Sequence, residues 1–261
     1  MLNILKYDFY KIVKSRKMYY FYIFAVFTIF LMILINFFLS ESKPSASVMK
    51  LSCEIYMMLI VAPMFAALLA GLDFSNKYIK NVYTSVNKYL YILSKAIYLL
   101  LFSLAYVFLQ ILLNWIFGWL VCGGLEFLNE YEIETGGWKK YFLCIAEYYA
   151  CGVACGSVSM MIVYLLKKSW LAIVAYFIYW MWIGSIVERL ANRIYDDEVV
   201  WCLFPIATRG RYNSLLRIFF EGSGGGYQVT VSMIVAPFSI CLCWLIFSYF
   251  ASVFAFKYRK V

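Results

Sequence analysis

Long apolar stretches alternate with polar, charged segments along the chain, and each apolar stretch has a length suited to crossing a bilayer. They are residues 19–39, 55–72, 96–121, 142–166, 170–187 and 231–256. About 20 mostly apolar residues in a helix cross ~30 Å of hydrocarbon. Because backbone polar groups in lipid must be hydrogen-bonded within their own segment, each stretch predicts a helix. The pattern predicts an all-α polytopic membrane protein with six transmembrane helices, and one transmembrane domain covers residues 1–261.

Residues 1–17 are predicted to form an amphipathic helix on the membrane surface. One face carries apolar side chains, and these are Leu2, Leu5, Phe9, Ile12 and Val13. The opposite face is polar and basic, with Asn3, Lys6, Tyr10, Lys14 and Lys17. An apolar face opposite a basic face is typical of an interfacial helix. The alternative is a solvated basic tail.

Two connecting segments also carry a pattern. Residues 75–88 are too polar to span a membrane, but an apolar stripe at helical spacing predicts a second surface helix there. The stripe consists of Ile79, Val82, Tyr83 and Val86. Residues 188–228 form the longest connection and mix charges with apolar pairs and glycines. We predict that this segment is extracellular and that its middle forms a short helix at the outer membrane face.

Composition and charge support a membrane protein of defined orientation. Hydrophobic residues make up 65% of the chain, well above the roughly half expected of a soluble domain. Most of the 23 lysines and arginines lie before span 1, after spans 2 and 4, and after span 6. The positive-inside rule therefore predicts cytoplasmic N- and C-termini. The net charge of +9 is explained by topology and anionic lipid, not by nucleic-acid binding.

Several kinds of chemistry are excluded by what the sequence lacks. There is no histidine and no G-x-x-x-x-G-K-[ST] motif, so neither histidine-based catalysis nor nucleotide binding by a P-loop is expected. The eight cysteines show no zinc-ligand spacing. Four of them lie toward the outer side, where a disulfide and simple packing are both open: Cys53, Cys122, Cys144 and Cys202. We expect no enzyme, no cofactor and no metal site in this chain.

A few polar or small residues inside the predicted spans are candidates for function. Glu147 is the one ionisable residue clearly within a span, where it either serves function or reaches to the outer water. Gln110 and Asn114 lie one turn apart in span 3 and either line a polar cavity or hydrogen-bond to a neighbouring helix. Gly152 and Gly156 form a G-x-x-x-G pattern that favours close helix packing within the subunit.

Two short motifs carry a resemblance to a known family. The stretch Asp73-Phe-Ser-Asn-Lys-Tyr-Ile-Lys-Asn81, with Ser94-Lys95 just before span 3, resembles the corresponding segment of ABC-2-type exporter permeases. So does Tyr7-Asp8-Phe-Tyr-Lys-Ile-Val-Lys-Ser-Arg-Lys17 before span 1. The similarity is closest to small bacterial permeases of lantibiotic-immunity and phenol-soluble-modulin exporters. The chain departs from many members at Lys77-Tyr78, where they have Gly-Thr.

The resemblance implies a multi-pass protein of the bacterial cytoplasmic membrane that exports amphipathic, antimicrobial or cytolytic peptides. Two permease copies, a homodimer, would pair with two copies of a separate ATPase, which binds the ATP and Mg. Residues 1–17 would be a connecting helix, and segment 188–228 would form short re-entrant helices. Residues 75–88 would be the coupling helix to the ATPase. The implied coupling residues are Asp73, Ile79, Lys80, Val82 and Tyr83.

The resemblance also suggests that spans 2 and 5 line the translocation path. Candidate path residues from the resemblance and from the polar pattern are Met57, Met58, Met64, Gln110, Asn114, Glu147 and Trp180. Two alternatives remain open. One is a carrier driven by an ion gradient, which the scarcity of charge in the spans argues against. The other is a non-transporting membrane scaffold that acts in immunity or sensing.

Overall fold

The computed structural model describes residues 2–39, 57–75, 87–122, 138–179 and 231–258. Over these residues the chain forms seven α-helices and no strand, which confirms the all-α prediction for the described part. The helices are α1 Leu2–Lys14, α2 Arg16–Leu39, α3 Met58–Ser75, α4 Lys88–Cys122, α5 Trp138–Leu166, α6 Ser169–Ile178 and α7 Val231–Tyr258. The predicted coupling helix and extracellular segment lie almost wholly outside the described residues.

Four of these helices are long and apolar enough to cross a membrane. The qualifying segments are Arg16–Ile35, Lys88–Val121, Ile145–Leu166 and Phe238–Lys257. Two shorter apolar helices, Met58–Phe74 and Ser169–Ile178, occupy the positions of predicted spans 2 and 5. Those two predicted spans each continue into residues that the structure does not describe. The chain is therefore a membrane protein by its helices, and the count of six spans stays a prediction.

The outward faces of α2, α4 and α7 are apolar. Large hydrophobic side chains such as Phe27, Phe108 and Phe254 are more than half exposed on the single chain. In water such a surface would be unfavourable, since each buried CH₂ is worth about 0.8 kcal/mol. In hydrocarbon the same side chains are well solvated. These faces therefore fit contact with lipid or with another membrane helix.

Helix α5 lies at the centre of the bundle, where it packs mainly against α3 and α7. Glycines bring the backbones of α5 and α3 close together. A Cβ atom placed on Gly152 would lie 2.4 Å from Met58 Cγ, and one on Gly156 would lie 3.3 Å from the carbonyl oxygen of Ala62. Leu99 of α4 packs on the same glycine. Both glycines of the G-x-x-x-G pattern therefore lie in contacts between helices of one chain.

Gly71 of α3 makes a still closer approach, to the first residue of α6. A Cβ atom on Gly71 would lie 2.4 Å from Ser169 Cβ and 3.4 Å from Ser169 Cα. Ser169 Cβ is fixed to the backbone, so only a helix shift relieves the clash. We expect Gly71→Ala to lower the free energy of unfolding by about 1–3 kcal/mol, the usual cost of overpacking. Thermal unfolding in detergent measures the effect.

The matched control is Gly152→Ala, where the new methyl group meets the flexible side chain of Met58. Because Met58 has several rotatable bonds, it can move aside, and the loss of stability is expected to be smaller. Equal losses in the two variants would contradict the argument that a rigid Cβ–Cβ contact limits the approach of α3 and α6.

The helices alternate in direction, so that several of their ends meet at one end of the bundle. The Phe256 ring near the end of α7 lies 5.6 Å from the Tyr91 ring of α4 and 5.8 Å from the Tyr164 ring of α5. The end of α3 meets the start of α6 through Gly71 and Ser169. Helix α1 packs against the same region of α4. Lys95, near the start of α4, lies at this end as well, and we call this end of the bundle the Lys95 end.

Helices α5 and α6 are joined there by Lys167 and Lys168 alone. Lys167 has a φ of 59°, a left-handed conformation that usually falls to glycine at a helix C-terminus. Its N–H donates to the carbonyl oxygen of Val163 at 2.7 Å, so the last turn of α5 is closed before the chain reverses. Lysine side chains at this point also suit the negative end of the helix dipole.

A buried ion-pair cluster as candidate functional site

Charged side chains from three helices meet inside the Lys95 end. The Lys95 ammonium of α4 is hydrogen-bonded to the Asp8 carboxylate of α1, and it lies 3.2 Å from Asp73 Oδ1 of α3. Lys11 Nζ of α1 lies 3.1 Å from the same Asp73 oxygen. Ser94 Oγ donates to Asp8 Oδ2 at 2.5 Å. We call these five residues the Lys95 cluster.

The charges of the Lys95 cluster are almost completely removed from water. Asp8 and Lys95 are 0% exposed and Asp73 is 1% exposed, whereas the Lys11 side chain keeps 10% of its surface. Buried charges are costly unless they are paired and hydrogen-bonded. Two carboxylates and two ammonium groups leave this cluster neutral, and each charge has an opposite charge in contact.

Aromatic side chains surround the cluster. The Tyr91 ring centroid lies 4.9 Å from Lys95 Nζ, a cation–π contact that supports the buried ammonium. Tyr164 of α5 points its hydroxyl toward Asp73 Oδ2, at 3.5 Å. On the α1 side, Tyr98 Oη donates to the carbonyl oxygen of Leu5 at 2.8 Å. The rings exclude water and strengthen the ion pairs.

Helical periodicity explains how each helix brings its residue to this point. On α1, Asp8 lies one turn from Ile12, and both side chains are buried. On α4, Tyr91, Lys95 and Leu99 recur every four residues and are all buried. Residues spaced by three or four in a helix share a face, so these stripes bring α1 and α4 together with a charge at the centre of each.

The orientation of α1 differs from the prediction of a single apolar face. Ile12 is buried against the bundle, but Leu2, Phe9 and Val13 are exposed. The ion pair of Asp8 with Lys95 turns the Asp8 face inward and leaves most of the apolar side chains outside. Helix α1 therefore has a face toward the bundle, an exposed apolar edge and an exposed polar face. It also ends at Lys14, and not at residue 17.

The exposed polar face of α1 carries a lysine that pairs with a tyrosine one turn away. Lys14 donates a hydrogen bond to the Tyr10 hydroxyl, and this bond raises the pKa of the Lys14 ammonium above its ordinary value. The Lys14 Nζ also lies 4.9 Å from the Tyr10 ring centroid. Such a basic and aromatic face suits the headgroup region of an anionic membrane.

Lys95 is the residue that the sequence analysis placed wrongly. We assigned it to the polar loop before span 3, but it lies in the second turn of α4 and is completely buried. Glu147 is consequently not the one ionisable residue inside a helical span. A lysine at the edge of an apolar stretch looks like a topology signal, because its partners come from distant parts of the sequence. The sequence does contain one indication of a buried ion pair: Asp8 and Asp73 are single acidic residues in otherwise basic segments.

The implied coupling residues are only partly described. Asp73 lies in the Lys95 cluster, so its carboxylate contacts lysines of α1 and α4. Because Asp73 is buried, a partner protein could act on it only through those neighbouring side chains. The other four, Ile79, Lys80, Val82 and Tyr83, lie outside the described residues. They belong to the segment that joins the ends of α3 and α4.

The candidate path residues that the structure describes lie mostly inside the bundle. Gln110, Asn114 and Glu147 are each less than 5% exposed, so Glu147 does not reach to the surface. Among the described residues, Gln110 Oε1 and Asn114 Nδ2 have no hydrogen-bond partner. Met58 fills the contact between α3 and α5. Met57 and Met64 are partly buried against the core, and Trp180 lies outside the described residues.

The cysteines within the helices form a small apolar cluster. Cys151 Sγ of α5 and Cys241 Sγ of α7 lie 3.9 Å apart, and Cys155 is buried one turn away. In the part of the chain that the structure describes, these three cysteines and the exposed Cys243 carry thiol groups. In the described parts of the chain, no three cysteine or acidic side chains are arranged to hold a metal ion. The four outer cysteines lie beyond the side chains that the structure describes.

The Lys95 cluster joins three helices, and its charged groups form ion pairs with one another. A comparison of the chain with models of known protein families and with curated proteins finds no match to either. The function of the chain is therefore inferred from its own residues and contacts. Fully paired charges of this kind hold elements together and fix their relative positions.

Proposed function

We propose that this chain is the transmembrane permease subunit of an ATP-driven exporter and that a separate subunit hydrolyses the ATP. The observation that carries the proposal is that the Lys95 cluster joins α1 to the ends of α3 and α4 that flank residues 76–86. A partner that moves residues 76–86 would act on the ends of α3 and α4 directly. Through Asp73 and Lys95 it would act on α1 as well.

The Lys95 cluster suits such a joint while α1 is docked, because each of its carboxylates contacts an ammonium group of another helix. Small displacements of one helix are therefore passed to the others. Lys95 contacts both Asp8 and Asp73, and a push on either carboxylate reaches the start of α4. Packing of α4 against α5, α3 and α7 would spread the motion through the bundle.

We propose amphipathic antimicrobial or cytolytic peptides as substrates and a homodimer of this chain as the transmembrane unit. Support comes from the large apolar faces of α2, α4 and α7, which accommodate apolar peptide side chains, a second copy or lipid. The positively charged segments at the Lys95 end support placing that end in the cytoplasm. The proposed location is the bacterial cytoplasmic membrane.

A non-transporting immunity or sensor scaffold is the second candidate. The observation that favours it is the burial of Gln110, Asn114 and Glu147 within a single chain. A path that used these residues would require the bundle to open. The scaffold predicts tight binding of a partner without ATP-linked movement of a substrate.

Copurification with an ATPase tests the proposal. When this chain is co-expressed with candidate ATP-binding subunits encoded near its gene and purified through its own tag, we expect a stable complex that hydrolyses ATP. We expect amphipathic peptides to stimulate the hydrolysis, because substrate binding favours the conformation that the ATPase drives. A chain that purifies without any ATPase would overturn the exporter assignment and favour the scaffold.

A further inference from the structure

We infer that α1 is a reversible arm, which docks on the Lys95 end in one state and lies on the membrane surface in another. The inference does not depend on the exporter assignment. It follows from the partners that each side of the α1 interface has available. Every polar group that pairs across this interface has a second partner on its own side or in water.

The charges separate into two neutral pairs. Helix α1 contributes Asp8 and Lys11, and the bundle contributes Asp73 and Lys95. Lys95 Nζ already lies 3.2 Å from Asp73 Oδ1, so the bundle pair stays together when α1 leaves. Asp8 and Lys11 are three residues apart on one helix, a spacing at which side chains pair. Release of α1 therefore leaves no uncompensated charge inside the bundle.

The hydrogen bonds across the interface have similar alternatives. Ser94 Oγ contacts the Tyr91 carbonyl oxygen at 2.8 Å as well as Asp8, so it keeps a partner. Tyr98 Oη, which donates to Leu5, is partly exposed and can bond to water. Few apolar side chains hold the helix: Ile12 is buried and Ile4 is partly buried against the core. Docking thus depends on paired charges more than on apolar area.

In its second state, α1 lies on the membrane surface. Leu2, Phe9 and Val13 are 71%, 58% and 66% exposed while α1 is docked, and they lie beside the exposed Lys6 and Lys14. An apolar edge next to cations binds the headgroup region, and anionic lipid adds about 1 kcal/mol for each lysine near the surface. Ile12 belongs to the same apolar side of α1 but is buried against the bundle, so this side cannot lie fully on the membrane while α1 is docked. Anionic phospholipid is therefore the partner that competes with the bundle for α1.

A single residue serves as the hinge. Ser15 separates α1 from α2 and lies outside both helices. Its N–H still donates to the Lys11 carbonyl oxygen at 3.1 Å, and its own carbonyl oxygen accepts from Met18 and Tyr19 at 3.1 Å. Serine is favoured at the N-cap of a helix, so α2 keeps its start when α1 changes direction.

Charge exchange tests the inference on the full chain in phosphatidylcholine nanodiscs, without an ATPase. Ser94→Cys provides a reporter on α4 that docked α1 covers, since Ser94 is buried and contacts Asp8, and its reaction with a water-soluble maleimide is followed by peptide mass spectrometry. Reversing the α1 pair (Asp8→Lys with Lys11→Asp) places like charges opposite each other and should speed labelling at least about tenfold. Reversing the bundle pair as well (Asp73→Lys with Lys95→Asp) should restore slow labelling.

Tyr89→Cys is the matched control, because this exposed position on α4 does not move with α1 and should react at the same rate in every variant. An α1 reversal that labels as slowly as the parent overturns the inference. The inference is also overturned if the variant with all four charges reversed labels as fast as the α1 reversal and keeps the unfolding temperature of the parent.

A second measurement needs no charge variant. In the chain with Ser94→Cys alone, labelling should accelerate as phosphatidylglycerol replaces phosphatidylcholine in the nanodisc. It should slow again at high salt, since salt screens surface charges. If labelling does not depend on the fraction of anionic lipid, α1 does not move to the membrane surface. This conclusion would hold whatever the result for the variant with all four charges reversed.

Discussion

Replacement of Lys95 with glutamine is expected to lower the free energy of unfolding by about 3–5 kcal/mol, the usual cost of removing one partner from a buried ion pair. While α1 is docked, Asp73 keeps Lys11 at 3.1 Å, but Asp8 retains only Ser94 in a site that water does not reach. Release of α1 would free Asp8, but it would leave Asp73 without either lysine. The expected result is a lower unfolding temperature in detergent and a lower yield of folded protein from membranes.

Lys17→Gln is the matched control for Lys95→Gln. It removes the same charge at the same end of the bundle, but from an exposed side chain, and exposed charges contribute about 0–1 kcal/mol. Adding Asp8→Asn to Lys95→Gln should recover much of the lost stability, because the stranded carboxylate becomes neutral. If Lys95→Gln and Lys17→Gln unfold at the same temperature, the cluster does not hold the helices as described.

Placing charges on the apolar stripe of residues 75–88 is expected to uncouple the proposed exporter. With Ile79→Asp and Val82→Asp, peptide transport and peptide-stimulated ATP hydrolysis should fall at least about tenfold, a loss of about 1.4 kcal/mol of coupling. A partner would bind the segment between α3 and α4 through this apolar stripe. Transport into vesicles and the ATPase rate of the purified complex measure the effect.

The control pair is Asn81→Asp with Thr84→Asp, which adds the same charge to the same segment away from the stripe. This pair should leave transport nearly unchanged, and all variants should keep the unfolding temperature of the parent. Normal transport by the chain with Ile79→Asp and Val82→Asp would show that the stripe is not the coupling surface. Loss of transport in both pairs would point to net charge instead of the stripe.

Hydrophobic pattern alone predicts the helices well in this chain. The predicted spans 19–39 and 231–256 correspond closely to α2 and α7, because nothing in their interior competes with the apolar signal. Boundaries were less accurate where a helix continues past the apolar stretch. Helix α4 begins at Lys88 although span 3 was predicted from residue 96, since Tyr91 and Ile92 pack on the bundle beside the buried Lys95.

The site could not be predicted in the same way, because its contacts join residues that are far apart in sequence. Asp8, Asp73 and Lys95 each have an ordinary role when taken alone, as charges flanking a span. Only the packing of α1 and α3 on α4 brings them together, and no local periodicity encodes that packing. The polar stripe of Gln110 and Asn114 was visible in the sequence, since its residues lie on one helix at helical spacing.

The short turn between α5 and α6 has a consequence for biosynthesis. With Lys167 and Lys168 as the whole connection, the facing ends of the two helices lie at most about 11 Å apart. If α6 continues as the predicted fifth span, we expect the two helices to enter the bilayer as one hairpin, because so short a connection keeps their facing ends together. By the positive-inside rule the two lysines would then stay on the cytoplasmic side, and this turn would anchor the orientation of the later part of the chain.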